Sequence, residues 1–202
     1  MKSKRMDTRR MVLLAMLSGI LLMMSFTPLG YLNIGPLAIS LNMIPVAIGA
    51  VALGPGGGAF LGAVFGITSC LQCVGIGGTS AMGMILFEIN PLLTIIQRFS
   101  TRVLAGWLTG VVFRVLHKYH CPQPNYIAGF CAALFNTVFF MSALVLLFGK
   151  TEYLQDQIAG RNILLFMVTS VGVNALVELL LDTLAVGAVC KALEKLKMIG
   201  GK

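Results

Sequence analysis

Polar side chains occur at helical spacing inside several long apolar segments of this chain. Asn174 and Glu178 are four residues apart and so share one helix face, and Asn136 occupies the middle of another segment. Arg98 and Arg102, also four apart, occupy a third. Lipid offers no hydrogen bonds, so a charged residue in the middle of a membrane helix costs roughly 2.5–3.5 kcal/mol. These groups predict an intramembrane site for a ligand with both anionic and hydroxyl or amide groups.

A second interpretation of the same residues is purely structural. Arg–Glu and Asn–backbone contacts can hold a helix bundle together without touching any ligand. Arg102 and Asp182, which continues the row of Asn174 and Glu178, are the residues to which this interpretation applies most directly.

The composition indicates which elements must position these groups. The chain has 202 residues, of which 57% are hydrophobic and 11% charged, whereas soluble domains carry about 25% charged residues. One membrane-spanning helix needs roughly 20 apolar residues. We therefore predict an all-α, polytopic membrane protein, a single domain of residues 1–202 formed by a bundle of six transmembrane helices. The predicted spans are Met11–Phe26, Ile39–Leu53, Ala59–Cys73, Leu92–Leu116, Tyr126–Phe148 and Asn162–Leu193.

The positions of the cations predict the orientation. The formal net charge is +8, but the lysines and arginines flank the apolar segments rather than forming a stripe that would bind nucleic acid. They concentrate in residues 1–10, near Arg114 and Lys118, and after the last span. Because cytoplasmic loops of membrane proteins are enriched in Lys and Arg, both termini are expected in the cytoplasm.

Two patterns suggest a metal site only weakly. Cys70-Leu-Gln-Cys73 has the spacing of a redox or zinc pair, and His117, His120 and Cys121 could complete such a site. The predicted topology places these two groups at opposite ends of the membrane. We therefore expect no metal.

Nucleotide hydrolysis is also not expected of this chain. Gly149-Lys150-Thr151 resembles the end of a phosphate-binding loop, but the required glycine five residues earlier is replaced by Leu144. Paired acids, or a nucleophile with a base, are likewise not evident. The chain is predicted not to be an enzyme.

Ala15 and Gly19 place two small residues one turn apart on the first span. Small residues at this spacing let another helix approach closely. The neighbouring helix could belong to a partner subunit or to this chain, and the spacing could also arise by chance in an Ala/Gly-rich segment.

Several segments taken together resemble the substrate-binding S components of energy-coupling factor (ECF) vitamin transporters. These segments are Leu41–Ala50, Leu53–Ala59, Leu61–Gly66, Thr79-Ser80, Asn90-Pro-Leu92 with Arg98, Asn136-Thr137, and Asn174 with Glu178. The third outer loop and fourth span look most similar to the pantothenate type.

The resemblance implies a protein of the bacterial cell membrane that captures a vitamin from outside. It implies a transmembrane coupling subunit and two ATPase subunits as partners, so ATP would be used by those subunits and no cofactor by this chain. Ala15 and Gly19 would form the docking surface for the coupling subunit. The vitamin site would be capped by the loops Tyr31–Pro36 and Val74–Glu88 and would use the residues Arg98, Asn136, Asn174, Glu178, Tyr31 and Asn90.

Pantothenate has a carboxylate, an amide and two hydroxyls, which an arginine and asparagine amides would complement. Riboflavin, folate and cobalamin remain alternatives. So does a self-sufficient secondary transporter or channel, although neither a repeated half nor a continuous polar path is evident in the sequence.

Overall fold

A computed structural model of the chain describes residues 8–27, 30–33, 38–77, 80–158 and 163–196. This part of the chain forms eight α-helices and one short antiparallel hairpin. The helices are α1 (Thr8–Ser25), α2 (Met43–Leu53), α3 (Pro55–Leu71), α4 (Ala81–Ile89), α5 (Pro91–Lys118), α6 (Pro124–Phe148), α7 (Glu152–Ile158) and α8 (Ile163–Lys195). The hairpin pairs β1 (Tyr31–Asn33) with β2 (Ala38–Ser40).

All six predicted helices are present, as α1, α2, α3, α5, α6 and α8. Among the described residues, α1, α3 with the 3-10 turn that follows it, α5 and α6 are long and apolar enough to cross a membrane. The last helix, α8, has 33 residues. The prediction of an all-α polytopic membrane protein is confirmed, and the described residues add the hairpin and two short helices, α4 and α7.

The second predicted span begins too early. Ile39 belongs to β2, and α2 starts at Met43 with only 11 residues. Pro45 explains the late start: a proline fits the first turn of a helix, but farther inside it would remove a hydrogen bond and clash with the preceding turn. At 1.5 Å per residue α2 is about 16 Å long. It cannot span the bilayer alone, and it lies buried within the bundle.

Two segments predicted as loops contain short helices. The Val74–Glu88 loop includes most of α4, whose first turn is capped by the Ser80 hydroxyl accepting from the Gly83 N–H at 3.2 Å. The Gly149–Arg161 loop includes α7. Both helices pack on the carboxyl end of α6, where Leu86 and Leu154 join a small apolar cluster of their own.

A row of glycines brings α3 and α5 into close contact. Gly58, Gly62 and Gly66 recur every four residues along α3, and a β-carbon at any of them would strike the α5 backbone, at Gly106, Arg102 and Phe99 respectively. Side chains at these positions would force the two helices apart. The row therefore fixes the position of α5 against α3, and with it the position of the two buried arginines of α5 in the bundle.

The main apolar core lies among α1, α2, α3, α6 and α8. Its buried members include Leu21, Met43, Leu61, Phe65 and Val186. This core surrounds α2 on all sides, which is why a helix too short to span the membrane is held firmly within it.

Candidate functional site

Arg98 is the centre of a buried polar region formed by α3, α4, α5 and α6. Its side chain is 4% exposed. Nη1 donates to the Ser69 hydroxyl on α3 and Nη2 donates to the Ser80 hydroxyl before α4, each at 3.0 Å. The guanidinium Nε has no hydrogen-bond partner. Neutral hydroxyls thus hold the guanidinium in place without neutralising its charge.

Gly83 lies directly against the Arg98 guanidinium. A β-carbon on Gly83 would lie 2.5 Å from Nη2 and 3.0 Å from the Cys73 sulfur, so a larger residue at that position would displace the guanidinium. The Phe140 ring of α6 lies 5.9 Å from the guanidinium carbon. Helices α3, α4, α5 and α6 therefore all contribute to the setting of Arg98.

Arg102 lies one turn farther along α5 and is 7% exposed. Its guanidinium carbon lies 4.7 Å from the centre of the Phe65 ring and 5.2 Å from that of Phe140. Nη1 also donates to the Arg98 carbonyl at 3.2 Å. Stacking between two rings stabilises a desolvated guanidinium, so Arg102 is held as part of the bundle.

Asn136 and Glu178 meet between α6 and α8. The Asn136 amide Nδ2 donates to Glu178 Oε1 at 3.2 Å, and both side chains are buried. The Ser40 backbone N–H also bonds to this carboxylate, and Arg102 is near enough to attract it. Asn136 Oδ1 has no partner. Phe140 is one turn from Asn136 and contacts both arginines. The pair of arginines and the Asn136–Glu178 pair are therefore adjacent.

Gln97 and Asp182 also carry buried oxygen atoms without a hydrogen-bond partner among the described residues. Gln97, fully buried, donates weakly to the Phe140 carbonyl at 3.4 Å, whereas its Oε1 is one of these oxygens. Asp182 is also fully buried, and neither carboxylate oxygen has a hydrogen-bond partner among the described residues. The sequence pattern had placed Asp182 in a structural network, and no hydrogen bond of that kind is present.

A second polar cluster forms a structural network in which each side chain has a hydrogen-bond partner. At the carboxyl end of α1, Thr68 donates to Ser25 at 3.2 Å and Gln72 donates to the Ser25 carbonyl at 2.8 Å. Asn42 joins them by accepting from the Ser25 hydroxyl at 3.4 Å. All four side chains are buried and each has a partner. Buried polar atoms are normally paired, so Arg98 Nε and Asn136 Oδ1, which have no hydrogen-bond partner among the described residues, are candidate contacts for a ligand.

Three of the predicted site residues stand apart from this geometry. The side chains of Asn174 and Tyr31 lie outside the described part of the structure, although their backbones belong to α8 and β1. Asn90 caps α5, because its Oδ1 accepts from the Leu93 N–H at 3.1 Å. Contacts of these three residues with a ligand stay predictions.

Several contributors to the site were not identified from the sequence. Ser69, Phe65 and Phe140 touch the arginines only through tertiary packing, which no local pattern reveals. The glycine row of α3 does have a visible pattern, because Gly58, Gly62 and Gly66 repeat the four-residue spacing of small residues that pack membrane helices.

Ala15 and Gly19 lie on an exposed face of α1. Nothing comes within 4 Å of where a β-carbon on Gly19 would be. Large apolar side chains on this helix are exposed as well, including Met16, Ile20 and Met23. Among the described residues, Ala15 and Gly19 therefore do not pack against another helix of this chain. Internal packing, one of the explanations for the small pair, does not apply.

The chain matches a family model over residues 9–189, nearly its whole length, and that family is described as ECF transporter, substrate-specific component. The chain belongs to this family. A curated relative, the pantothenate transporter PanT of Leuconostoc mesenteroides subsp. mesenteroides, is 26% identical over 192 residues, which cover 90% of each chain.

Membership of the ECF substrate-specific components settles the class of the protein. It is a transporter component and not an enzyme. The family implies a small-molecule vitamin as substrate and a membrane ECF module as partner. Among the described residues, no three His, Cys, Asp or Glu side chains are grouped in a way that could hold a metal ion.

Proposed function

We propose that this ECF substrate-specific component binds pantothenate on the outer side of the membrane and delivers it through an ATP-driven coupling module. The observation that carries the proposal is Arg98, a buried guanidinium held by two neutral hydroxyls with its Nε unused. A buried cation without an anion is costly. A ligand carboxylate would supply the missing charge through charge-assisted hydrogen bonds.

The rest of the ligand would extend toward Asn136 and Glu178. Asn136 Oδ1 can accept one hydrogen bond, and the Glu178 carboxylate can accept more than the two it receives from Asn136 and Ser40. Both are acceptors for the amide N–H and hydroxyls of pantothenate. The likeness to the Leuconostoc pantothenate transporter supports the same vitamin.

Docking to the coupling subunit is assigned to the exposed face of α1. Lipid would accept any apolar side chains on this face, whereas two small residues one turn apart favour contact with a helix. We also infer that both termini lie in the cytoplasm. Six of the nine described lysines and arginines lie at one end of the bundle, namely Arg9, Arg10, Arg114, Lys118, Lys191 and Lys195, and Glu88, Glu152 and Asp156 lie toward the other end.

Two experiments test this proposal. Mass spectrometry of the small molecule retained after mild detergent purification should detect pantothenate, and another retained vitamin would overturn the substrate assignment. Uptake of labelled pantothenate by cells should require the coupling subunit and both ATPases together with this chain. Uptake by this chain alone would show a self-sufficient transporter.

A further inference from the structure

A cleft of about 580 Å³ opens at the end of the bundle opposite to the Arg98 region. It lies where α5 ends, α6 begins and α8 ends. Its lining includes His117, His120, Asn125, Tyr126, Lys191 and Glu194. Along α5, His117 is 19 residues from Arg98, which at 1.5 Å per residue is about 28 Å. The cleft is therefore separate from the vitamin site.

The charges around this cleft favour an anion. The described residues at this end of the bundle carry six cations, namely Arg9, Arg10, Arg114, Lys118, Lys191 and Lys195. The single acid there, Glu194, accepts a hydrogen bond from Asn125 at 3.0 Å.

The cleft also borders the apolar outer surface of the protein. Val115 is 47% exposed and Tyr119 is 72% exposed beside it on the last turns of α5. Lys191 lies in the wall with its ammonium 6.0 Å from the centre of the Tyr126 ring. Tyrosines and lysines in this arrangement are typical of the level of lipid headgroups. An anion reaching the cleft from that surface would carry acyl chains.

We propose that this cleft binds the phosphodiester headgroup of an anionic phospholipid. Lys191 provides the cation that contacts the phosphate, and the exposed His117 and His120 provide donors at the rim. The acyl chains lie along the apolar surface of α5. Basic pockets between transmembrane helices are suited to such headgroups. This inference does not depend on which vitamin the protein carries.

The test is a titration of the full-length, delipidated protein followed by native mass spectrometry. The probes are dioctanoyl phosphatidylglycerol and, for comparison, dioctanoyl phosphatidylcholine. Phosphatidylglycerol should bind more tightly, and Lys191→Gln should weaken it about fivefold, as expected for one lysine near a membrane surface. Lys191→Arg keeps the cation and should bind nearly as the native protein does.

Lys118→Gln is the matched control, because Lys118 belongs to the same basic end but does not line the cleft. An equal loss in Lys118→Gln would show diffuse attraction and overturn the proposal, as would equal binding of the two lipids. Inorganic phosphate and glycerol 3-phosphate are the remaining probes. If either displaces phosphatidylglycerol at similar concentration, the cleft is a site for free phosphate and not for a lipid.

Discussion

The Arg98 guanidinium lies directly against Gly83, so closely that a β-carbon there would be 2.5 Å from Nη2. This contact joins helix α4 to the buried cation of α5. Since Ser80 both caps α4 and accepts a hydrogen bond from Arg98, the position of α4 and that of the guanidinium are fixed together.

Gly83→Ala should therefore weaken vitamin binding. The methyl group would force the guanidinium from its rotamer, at a cost of about 0.5–1.5 kcal/mol, which is roughly a two- to tenfold loss of affinity. Isothermal titration calorimetry with pantothenate measures this loss of affinity. Gly56→Ala is the control, because nothing lies within 4 Å of a β-carbon there. Equal affinities in the two variants would show that α4 does not constrain Arg98.

Asn136→Ala should cost about 1–3 kcal/mol of binding free energy, because ligand groups would be left unpaired in a dry pocket. The chain supplies a matched control in Asn125, which bonds to Glu194 between the same two helices at the other end. Asn125→Ala removes an equivalent Asn–Glu bond and should leave vitamin affinity unchanged. A similar loss in both variants would mean that Asn136 only braces α6 against α8.

Gly62→Ala should destabilise the protein. The added methyl group would strike the Arg102 carbonyl of α5, and backbone cannot move aside as a side chain can. Overpacking of this kind costs about 1–3 kcal/mol. The melting temperature in detergent should fall relative to Gly56→Ala. An unchanged melting temperature would show that the glycine row does not set the distance between α3 and α5.

Gly19→Leu should abolish transport while vitamin binding is kept, because the side chain would add bulk on the face of α1 that meets the coupling subunit. Gly56→Leu adds the same bulk at another exposed glycine and should transport normally. Co-purification of the coupling subunit distinguishes lost docking from lost delivery. Normal uptake by Gly19→Leu would exclude this face of α1 as the docking surface.

The helices were predictable from the sequence because long apolar segments bounded by Gly, Pro and Asn leave few alternatives. Asn90-Pro91 marked the start of α5 correctly, since Asn90 caps the helix and Pro91 occupies its first turn. The start of α2 was missed although Pro45 indicated it. The hydropathy of Ile39 suggested that the helix begins there. A proline as the seventh residue of that helix, however, argues against such an early start.

The site was only partly predictable. Helical spacing placed Glu178 within reach of the other groups, and the structure pairs it with Asn136. Spacing could not show that Ser69 and Ser80 hold Arg98, or that Phe65 and Phe140 enclose Arg102. These contacts join separate helices, and their geometry depends on how closely α3 and α5 pack.

We propose that Arg98 binds the carboxylate of pantothenate, and a calorimetric comparison of two ligands decides whether it does. Native protein and Arg98→Ala are each titrated with pantothenate and with pantothenol, which has an alcohol in place of the carboxylate. The account predicts that Arg98→Ala loses much more affinity for pantothenate than for pantothenol, because only the former supplies the anion that the buried guanidinium lacks. Equal losses for the two ligands, or no loss for either, would contradict it.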